Sequence, residues 1–236
     1  MVDHSKGADQ VVVVDTGSTD KTVELAESHG AEIHHFPWTD DFAAARNYAL
    51  DQATGSWVLS LDADETLDPK TAPKLRILMN RSLGHSGLRA WGLAIHNVHD
   101  KEGILLKYVS HGKRLFPNHP KVRWVRPIHE QLVHIENDAL LQHIVTDDVI
   151  LHHQGYLSAE HAAKGKEERN RRLLLKALAA DPDDPFNYFH LGQEHEAEAT
   201  LNELFFLNAG SLEQLNYILI SVLTFAVTNL IQMITP

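Results

Sequence analysis

A chain of 236 residues, 43% hydrophobic and 22% charged, has the composition of a soluble globular protein that can bury a core in one or two domains without cross-links. Its 21 Lys+Arg against 32 Asp+Glu give a formal charge of −11, which argues against nucleic acid as a partner, because a phosphate backbone calls for a basic surface. With no cysteine, disulfides, thiolate metal sites and cysteine nucleophiles are excluded, and a cytoplasmic location is expected.

Met1–Gln10 is polar and holds no apolar run of the signal-peptide kind. Val11–Val14 predicts a buried strand feeding the polar loop Asp15-Thr16-Gly17-Ser18. A helix is predicted from about Thr19 to His29, stopped by Gly30, then a short strand over Ile33–Phe36 and an alanine-rich helix over Phe42–Thr54 closed by Gly55. Trp57–Leu61 predicts a third strand running into Asp62-Ala63-Asp64-Glu65, and Asp68-Pro69 has the form of a helix start, with Asp as N-cap and Pro at the first position. This alternation predicts an α/β fold with an open, mostly parallel sheet and flanking helices. Ligands of such sheets bind outside the carboxyl ends of the strands, where both acidic loops fall.

After Gly87 the rhythm changes. Leu88–His99 and Ile104–Val109 read as strands about a turn at Asp100–Gly103, with further extended segments at Arg114–Phe116 and Val122–Val125. From Ser158 the pattern is helical and is broken at Asp181-Pro182-Asp183-Asp184-Pro185. Leu215–Ile234 is largely apolar and near the roughly 20 residues that span a bilayer, but it is diluted by Asn216, Ser221, Thr224, Thr228, Asn229 and Gln232. A buried or surface-docking helix is therefore expected there, with membrane contact through residues 215–234 at the inner face of the membrane as the lesser alternative.

Two carboxylates two residues apart at a strand end, Asp62 and Asp64, can converge on one hard cation, Mn²⁺ or Mg²⁺, completed by substrate phosphates. Such a cation offsets charge on a departing diphosphate. On its own such a pair is more often a solvated turn, but the apolar run before it brings the carboxylates out of the sheet core. The loop Asp15–Asp20, between a strand and a helix start, is either a polar ligand site or an ordinary capped turn. Arg46, a cation on an apolar helix, faces solvent or a phosphate.

Val11-Val12-Val13-Val14-Asp15-Thr16-Gly17-Ser18-Thr19-Asp20-Lys21-Thr22, then Ala45-Arg46-Asn47, then Gly55-Ser56-Trp57-Val58-Leu59-Ser60-Leu61-Asp62-Ala63-Asp64-Glu65 together resemble family 2 glycosyltransferases, which have the GT-A nucleotide-sugar fold. The resemblance covers about residues 11–197. It implies nucleotide contacts from Asp15, Thr16 and Arg46, with Thr16 standing where many members carry a second acid. It implies a metal and diphosphate site at Asp62 and Asp64. Arg114-Leu115-Phe116-Pro117-Asn118 and Pro127-Ile128-His129-Glu130-Gln131-Leu132 resemble acceptor-side segments of a bacterial subgroup with helical repeats. There Glu130 stands where an inverting enzyme places its general base. His152-His153-Gln154-Gly155-Tyr156 also resembles the subgroup, making His153 or His152 the expected third metal ligand. Ala177-Leu178 with Pro182, and Tyr188, Leu191, Gly192 and His195, fit one tetratricopeptide register that ends after Leu201.

The family has a further strand before the one at Val11, and its pattern also stops after about Leu201, so a truncated product is expected. The expected organisation is a GT-A domain over residues 1–157, a tetratricopeptide-like helical segment over 158–210 and an apolar tail over 211–236. The function implied is metal-dependent transfer, with inversion, of a sugar from a nucleotide-diphospho-sugar, a UDP-sugar foremost, to a glycan, lipid or protein acceptor. The alternatives are a non-catalytic remnant acting as a protein-interaction module and a sugar nucleotidyltransferase; the second lacks its expected Gly-rich basic loop.

Overall fold

The computed structural model describes residues 8–83, 85, 87–101, 104–156 and 160–194. Its first strand is the valine run, β1 (Val12–Asp15), which pairs in parallel with β2 (Glu32–His35) across helix α1 (Thr22–Ser28). Gly30, at φ +80°, closes α1: its N–H bonds Glu27 O and that of Ala31 bonds Ala26 O, the doubly bonded stop that a left-handed glycine permits. Helix α2 (Phe42–Gln52) starts at Asp41, whose side chain accepts from Ala44 N at 2.9 Å.

The predicted strand before the acidic motif is β3 (Trp57–Leu59), and a short β4 (Glu65–Leu67) follows the motif. Helix α3 (Lys74–Ser82) begins later than its sequence signal: Asp68 accepts from Lys70 N and Thr71 N, so Asp68-Pro69 opens a run of turns and the helix starts only at Lys74. Two long strands come next, β5 (Leu88–Lys101) and β6 (Ile104–Pro117), the latter continuous through the segments expected to be separate. A hairpin of β7 (Val122–Val125) and β8 (Gln131–His134), one turn of 3-10 helix at Asp138–Leu140, and β9 (Leu141–Tyr156) complete this part.

The main sheet has the order β3-β6-β5-β9-β4. It is mixed, not mostly parallel: β5 and β9 run parallel, while β3–β6, β5–β6 and β4–β9 are antiparallel. The physical reason is the long β5–β6 hairpin, paired from Trp91 to Lys101, which a short connection can make only antiparallel. The α/β expectation holds; the sheet direction does not.

Alternation along the strands splits the core in two. Ala90 and Phe116 pack with Ala43 and Leu50 of α2 and with Val122, Trp124 and Leu132 of the hairpin. Their chain neighbours Trp91 and Leu115 join Leu78 of α3, Leu93, Val149 and Leu151 in a second cluster, as a two-residue side-chain period requires. One cluster thus holds α2 and the β7–β8 hairpin, and with them Arg46 and Glu130.

The chain divides into units Met1–Ala159 and Glu160–Pro236. In the second, helices α4 (Glu160–Ala180) and α5 (Pro185–Glu194) bury Leu173, Leu174 and Leu191. Asp184 caps α5 through Phe186 N at 3.0 Å, with Pro185 at the first helical position. His195, the remainder of the predicted repeat and the apolar tail lie outside the described residues. No helix among the described residues is long and apolar enough to cross a membrane.

Candidate active site

Between β3 and β4 the chain passes from the first strand of the main sheet to the last, so the acidic segment 60–64 passes over β6, β5 and β9, from the level of Leu115 to that of Asn97 and His153. Each of these strands sends one polar side chain toward it or its neighbours: Arg114 from β6, Asn97 from β5 and His153 from β9.

Arg46 and Arg114 gather the carboxylates at the β3 end. Arg46 donates from Nη2 to Asp62 Oδ1 at 2.6 Å, from Nε to Glu130 Oε1 at 2.5 Å and from Nη1 to Ser60 Oγ at 3.3 Å. Its guanidinium lies 5.0 Å from the centre of the Trp124 ring. Arg114 Nη2 donates to Asp62 Oδ2 at 2.7 Å and to Glu65 Oε1 at 2.6 Å. Glu65 also accepts from Asp62 N, which folds the acidic turn over its own buried carboxylate. Burial alone would push the Asp62 carboxyl up, but Arg114 and Arg46 together hold it below the usual carboxylate range. Burial likewise opposes the charge on Arg46, and Asp62 and Glu130 more than offset it.

The meeting of α2 with residue 130 is built by Asn47, next to Arg46. Its amide donates to Trp124 O at 2.8 Å and accepts from Trp124 N at 2.9 Å, and Phe42 N bonds Pro127 O at 2.9 Å. The start of α2 is thereby fixed to the β7–β8 connection, where Arg126 and His129 adopt φ of +79° and +51° on either side of the turn into Glu130.

Asp64 lies beyond the arginines. Its Oδ2 is 3.1 Å from His153 Nε2, while His153 Nδ1 is 2.8 Å from Asn97 Oδ1. The adjacent His152 turns the other way along β9 and contacts Asp68 at 3.1 Å, which holds the Asp68 carboxyl below its ordinary range. Of the two expected histidines, His153 is the one brought to the acidic motif. Among the described residues no three His, Asp or Glu side chains form a ready metal cluster. Asp64 and His153 nonetheless offer an oxygen and a nitrogen on one point, and Mg²⁺ or Mn²⁺ commonly takes few protein ligands beside substrate phosphates. The residues fit a cation of that kind. Asp62 differs, since each of its oxygens already accepts from an arginine.

Asp15, at the end of β1, is turned onto its own loop. It accepts from Gly17 N at 3.2 Å and Ser18 N at 3.0 Å, and His35 Nδ1 lies 3.3 Å away. Ser18, through its hydroxyl and its amide, is the main reason that the Asp15 carboxyl sits below its ordinary value. Gly17, at φ +119°, lets the chain double back. Thr16 is exposed on the same loop. No hydrogen bond or ion pair among the described residues joins Asp15 or Thr16 to the arginine network.

No sequence motif marks Arg114 as a double anchor, or assigns a role to Glu65, Trp124 or Asn97. Arg114 had a signal: a cation directly before the apolar pair Leu115-Phe116 on a strand, where burial obliges it to find carboxylates. Asn97 had a weaker one, a single amide within an otherwise apolar alternation.

Residues 2–82 match the family model described as Glycosyl transferase family 2. A TPR repeat-containing protein of Synechococcus elongatus is 35% identical over 195 residues, 78% of this chain and 45% of the relative. The SPbeta prophage-derived glycosyltransferase SunS of Bacillus subtilis is 27% identical over 187 residues, 78% of this chain and 42% of the relative. The chain thus spans less than half the length of either. Among solved structures, S. aureus TarS 1-349 in complex with UDP-GlcNAc superposes with a TM-score of 0.43 at 17% identity, over 90% of this chain and 70% of that one.

Proposed function

We propose that this chain binds a nucleotide-diphospho-sugar, foremost a UDP-sugar, and transfers the sugar with inversion to a hydroxyl of a glycan, lipid or protein acceptor. The observation that carries this reading is the direct linkage of Glu130, Arg46, Asp62, Arg114 and Glu65, distant in sequence, into one chain of ion pairs beside Asp64 and His153. The family match over residues 2–82 supports the same class.

The charges support a cation in the reaction. Two guanidinium groups pair with three carboxylates, Asp62, Glu65 and Glu130, and Asp64 adds a fourth beside them, so the acidic excess of the site repels a diphosphate. A divalent cation, Mn²⁺ or Mg²⁺, would supply the missing charge and stabilise the departing diphosphate. Asp64 and His153 would be its protein ligands. Asp62 would reach it only by sharing an oxygen with an arginine, which a carboxylate's spare lone pairs allow. Asp15 and Thr16 would meet the nucleotide and Arg46 the diphosphate, with Asp62 acting on the diphosphate through the arginines it holds and through the cation.

In this reading Glu130 is the base. Arg46 holds its Oε1, and Oε2 takes the acceptor proton as the acceptor oxygen bonds the anomeric carbon. The bond from that carbon to the diphosphate oxygen breaks on the opposite face, its electron pair leaves with the nucleoside diphosphate, and inversion follows. Residues 1–157 would form the donor-binding part and residues 158–210 a tetratricopeptide-like partner surface, in a cytoplasmic protein.

Calorimetric titration of the purified chain with UDP, with and without Mn²⁺, tests the reading. Binding is expected only with Mn²⁺, and Asp64→Ala is expected to abolish it. A folded chain that ignores UDP in the presence of Mn²⁺ would overturn the donor assignment.

A further inference from the structure

We propose that Asn97 is a positioning residue that locks His153 in its Nδ1–H tautomer and so presents the Nε2 lone pair, beside Asp64, to the divalent cation. The inference rests on the cation reading above, but its main test does not require the cation.

Asn97 on β5 and His153 on β9 are register partners in the parallel pair, so their side chains stand on one face. Asn97 is 4% exposed. Its amide nitrogen lies 3.0 Å from Ile95 O and 2.9 Å from Ser110 Oγ. A backbone carbonyl can only accept, so the amide nitrogen must face Ile95 and the amide oxygen must face His153. That oxygen also can only accept, so the hydrogen of the 2.8 Å contact belongs to His153 Nδ1. In the neutral ring Nε2 then carries a lone pair, and it points at Asp64 Oδ2, another acceptor, 3.1 Å away. In that tautomer Nε2 and Asp64 Oδ2 both present lone pairs, a nitrogen and an oxygen that a divalent cation can take. Without Asn97 the ring could donate from Nε2 to Asp64 and would offer no lone pair. The fixed outer hydrogen bond of a metal-ligating histidine serves this purpose generally.

The test is long-range ¹H–¹⁵N spectroscopy of the full ¹⁵N-labelled chain without metal, with His153 assigned through His153→Gln. The pH is set near 8.5, well above the ordinary histidine value of about 6.5. The expected spectrum shows a protonated Nδ1 and a bare Nε2. An Nε2–H tautomer, or a doubly protonated ring, overturns the proposal in the wild type alone, whatever the variants do. Asn97→Leu is expected to convert His153 to the Nε2–H form and to weaken Mn²⁺ binding, measured with UDP present, by about 10- to 100-fold. A folded Asn97→Leu chain with wild-type Mn²⁺ affinity also overturns it. Ser110→Ala, which removes one anchor of the amide, is expected to shift the tautomer in the same direction, and serves if Asn97→Leu does not fold. A wild type that shows the expected tautomer yet binds no Mn²⁺ refutes the cation reading and leaves Asn97 as the residue that sets the tautomer.

Discussion

Replacing Arg46 by lysine separates the shape of the guanidinium from its charge. Arg46 is 22% exposed and spans Asp62 and Glu130 at once, with Trp124 beneath it. An ammonium keeps the charge but is a single point that serves one carboxylate and does not lie flat on an indole. Arg46→Lys therefore loses at least one charge-assisted hydrogen bond, worth about 1.5–3 kcal/mol. It also loses part of a cation–π contact worth about 0.5–1 kcal/mol. A cost of about 2–3 kcal/mol is expected, and about 3–5 kcal/mol for Arg46→Leu, toward the lower end because Asp62 keeps Arg114. Urea unfolding reads both as a shift in midpoint at unchanged slope. The pH dependence has a definite sign. The Asp62 carboxyl is depressed in the fold, so it contributes stability that is full above its unfolded value and is lost as pH falls through its folded value. Removing Arg46 raises the folded value and shrinks that contribution. The gap between wild type and Arg46→Leu should thus be full at neutral pH and should narrow as the pH falls toward about 4 and below. A lysine variant within about 0.5 kcal/mol of wild type at pH 7, or a leucine gap that widens on acidification, would refute this account.

Two further substitutions test the supports of the site. Asn47→Ala strands both the Trp124 N–H and the Trp124 carbonyl, and about 2 kcal/mol of stability should be lost in the same urea assay; a loss below about 0.5 kcal/mol would mean that α2 is held by packing alone. Gly17→Ala places a Cβ where nothing lies within 4 Å, so its effect reports only the backbone at φ +119°; a cost of about 1–2 kcal/mol is expected, and a stabilised variant would show that the Asp15 loop does not need the left-handed turn.

Local signals in the sequence were legible where local physics decides. The valine run, the alanine-rich helix behind Asp41 and the glycine stop at Gly30 appear within a residue or two of their predicted places, because β-branched content, a capping carboxylate and a left-handed glycine act over a few residues. The direction of the main sheet was not legible. It depends on β5 and β6 pairing as one long hairpin and on β9 returning parallel to β5, and neither follows from alternation within a strand. Helix α3 starts later than its Asp-Pro signal because such a pair satisfies a turn as readily as a helix N-terminus. Here Asp68 closes the turn with Lys70 N and Thr71 N and receives His152 besides.

The acidic motif shows most clearly why a site is harder to read than a fold. In sequence Asp62 and Asp64 are equivalent: two carboxylates, one residue between them, after one strand. In space they turn to partners on different strands of the main sheet. Asp62 follows β3, which pairs with β6, and Ser60 N bonds Arg114 O, so Arg114 is the cation at hand for Asp62. Asp64 precedes β4, which pairs with β9 through Glu65 and His153, so a histidine is its neighbour instead. The two carboxylates diverge because the strands on either side of them are first and last in the sheet order. A carboxylate with both oxygens committed to guanidinium groups is poorly disposed to bind a cation by itself, whereas one facing an imidazole nitrogen is well disposed. The same crossing that separates the two acids also lays the motif over Asn97, so the side chain that contacts His153 Nδ1 sits on the strand between the arginine and the histidine. A division of labour in which Asp62 holds the arginines in place and Asp64 would meet the proposed cation therefore follows from strand order, and Asp62→Asn and Asp64→Asn should fail differently: the first in stability, the second in Mn²⁺-dependent UDP binding.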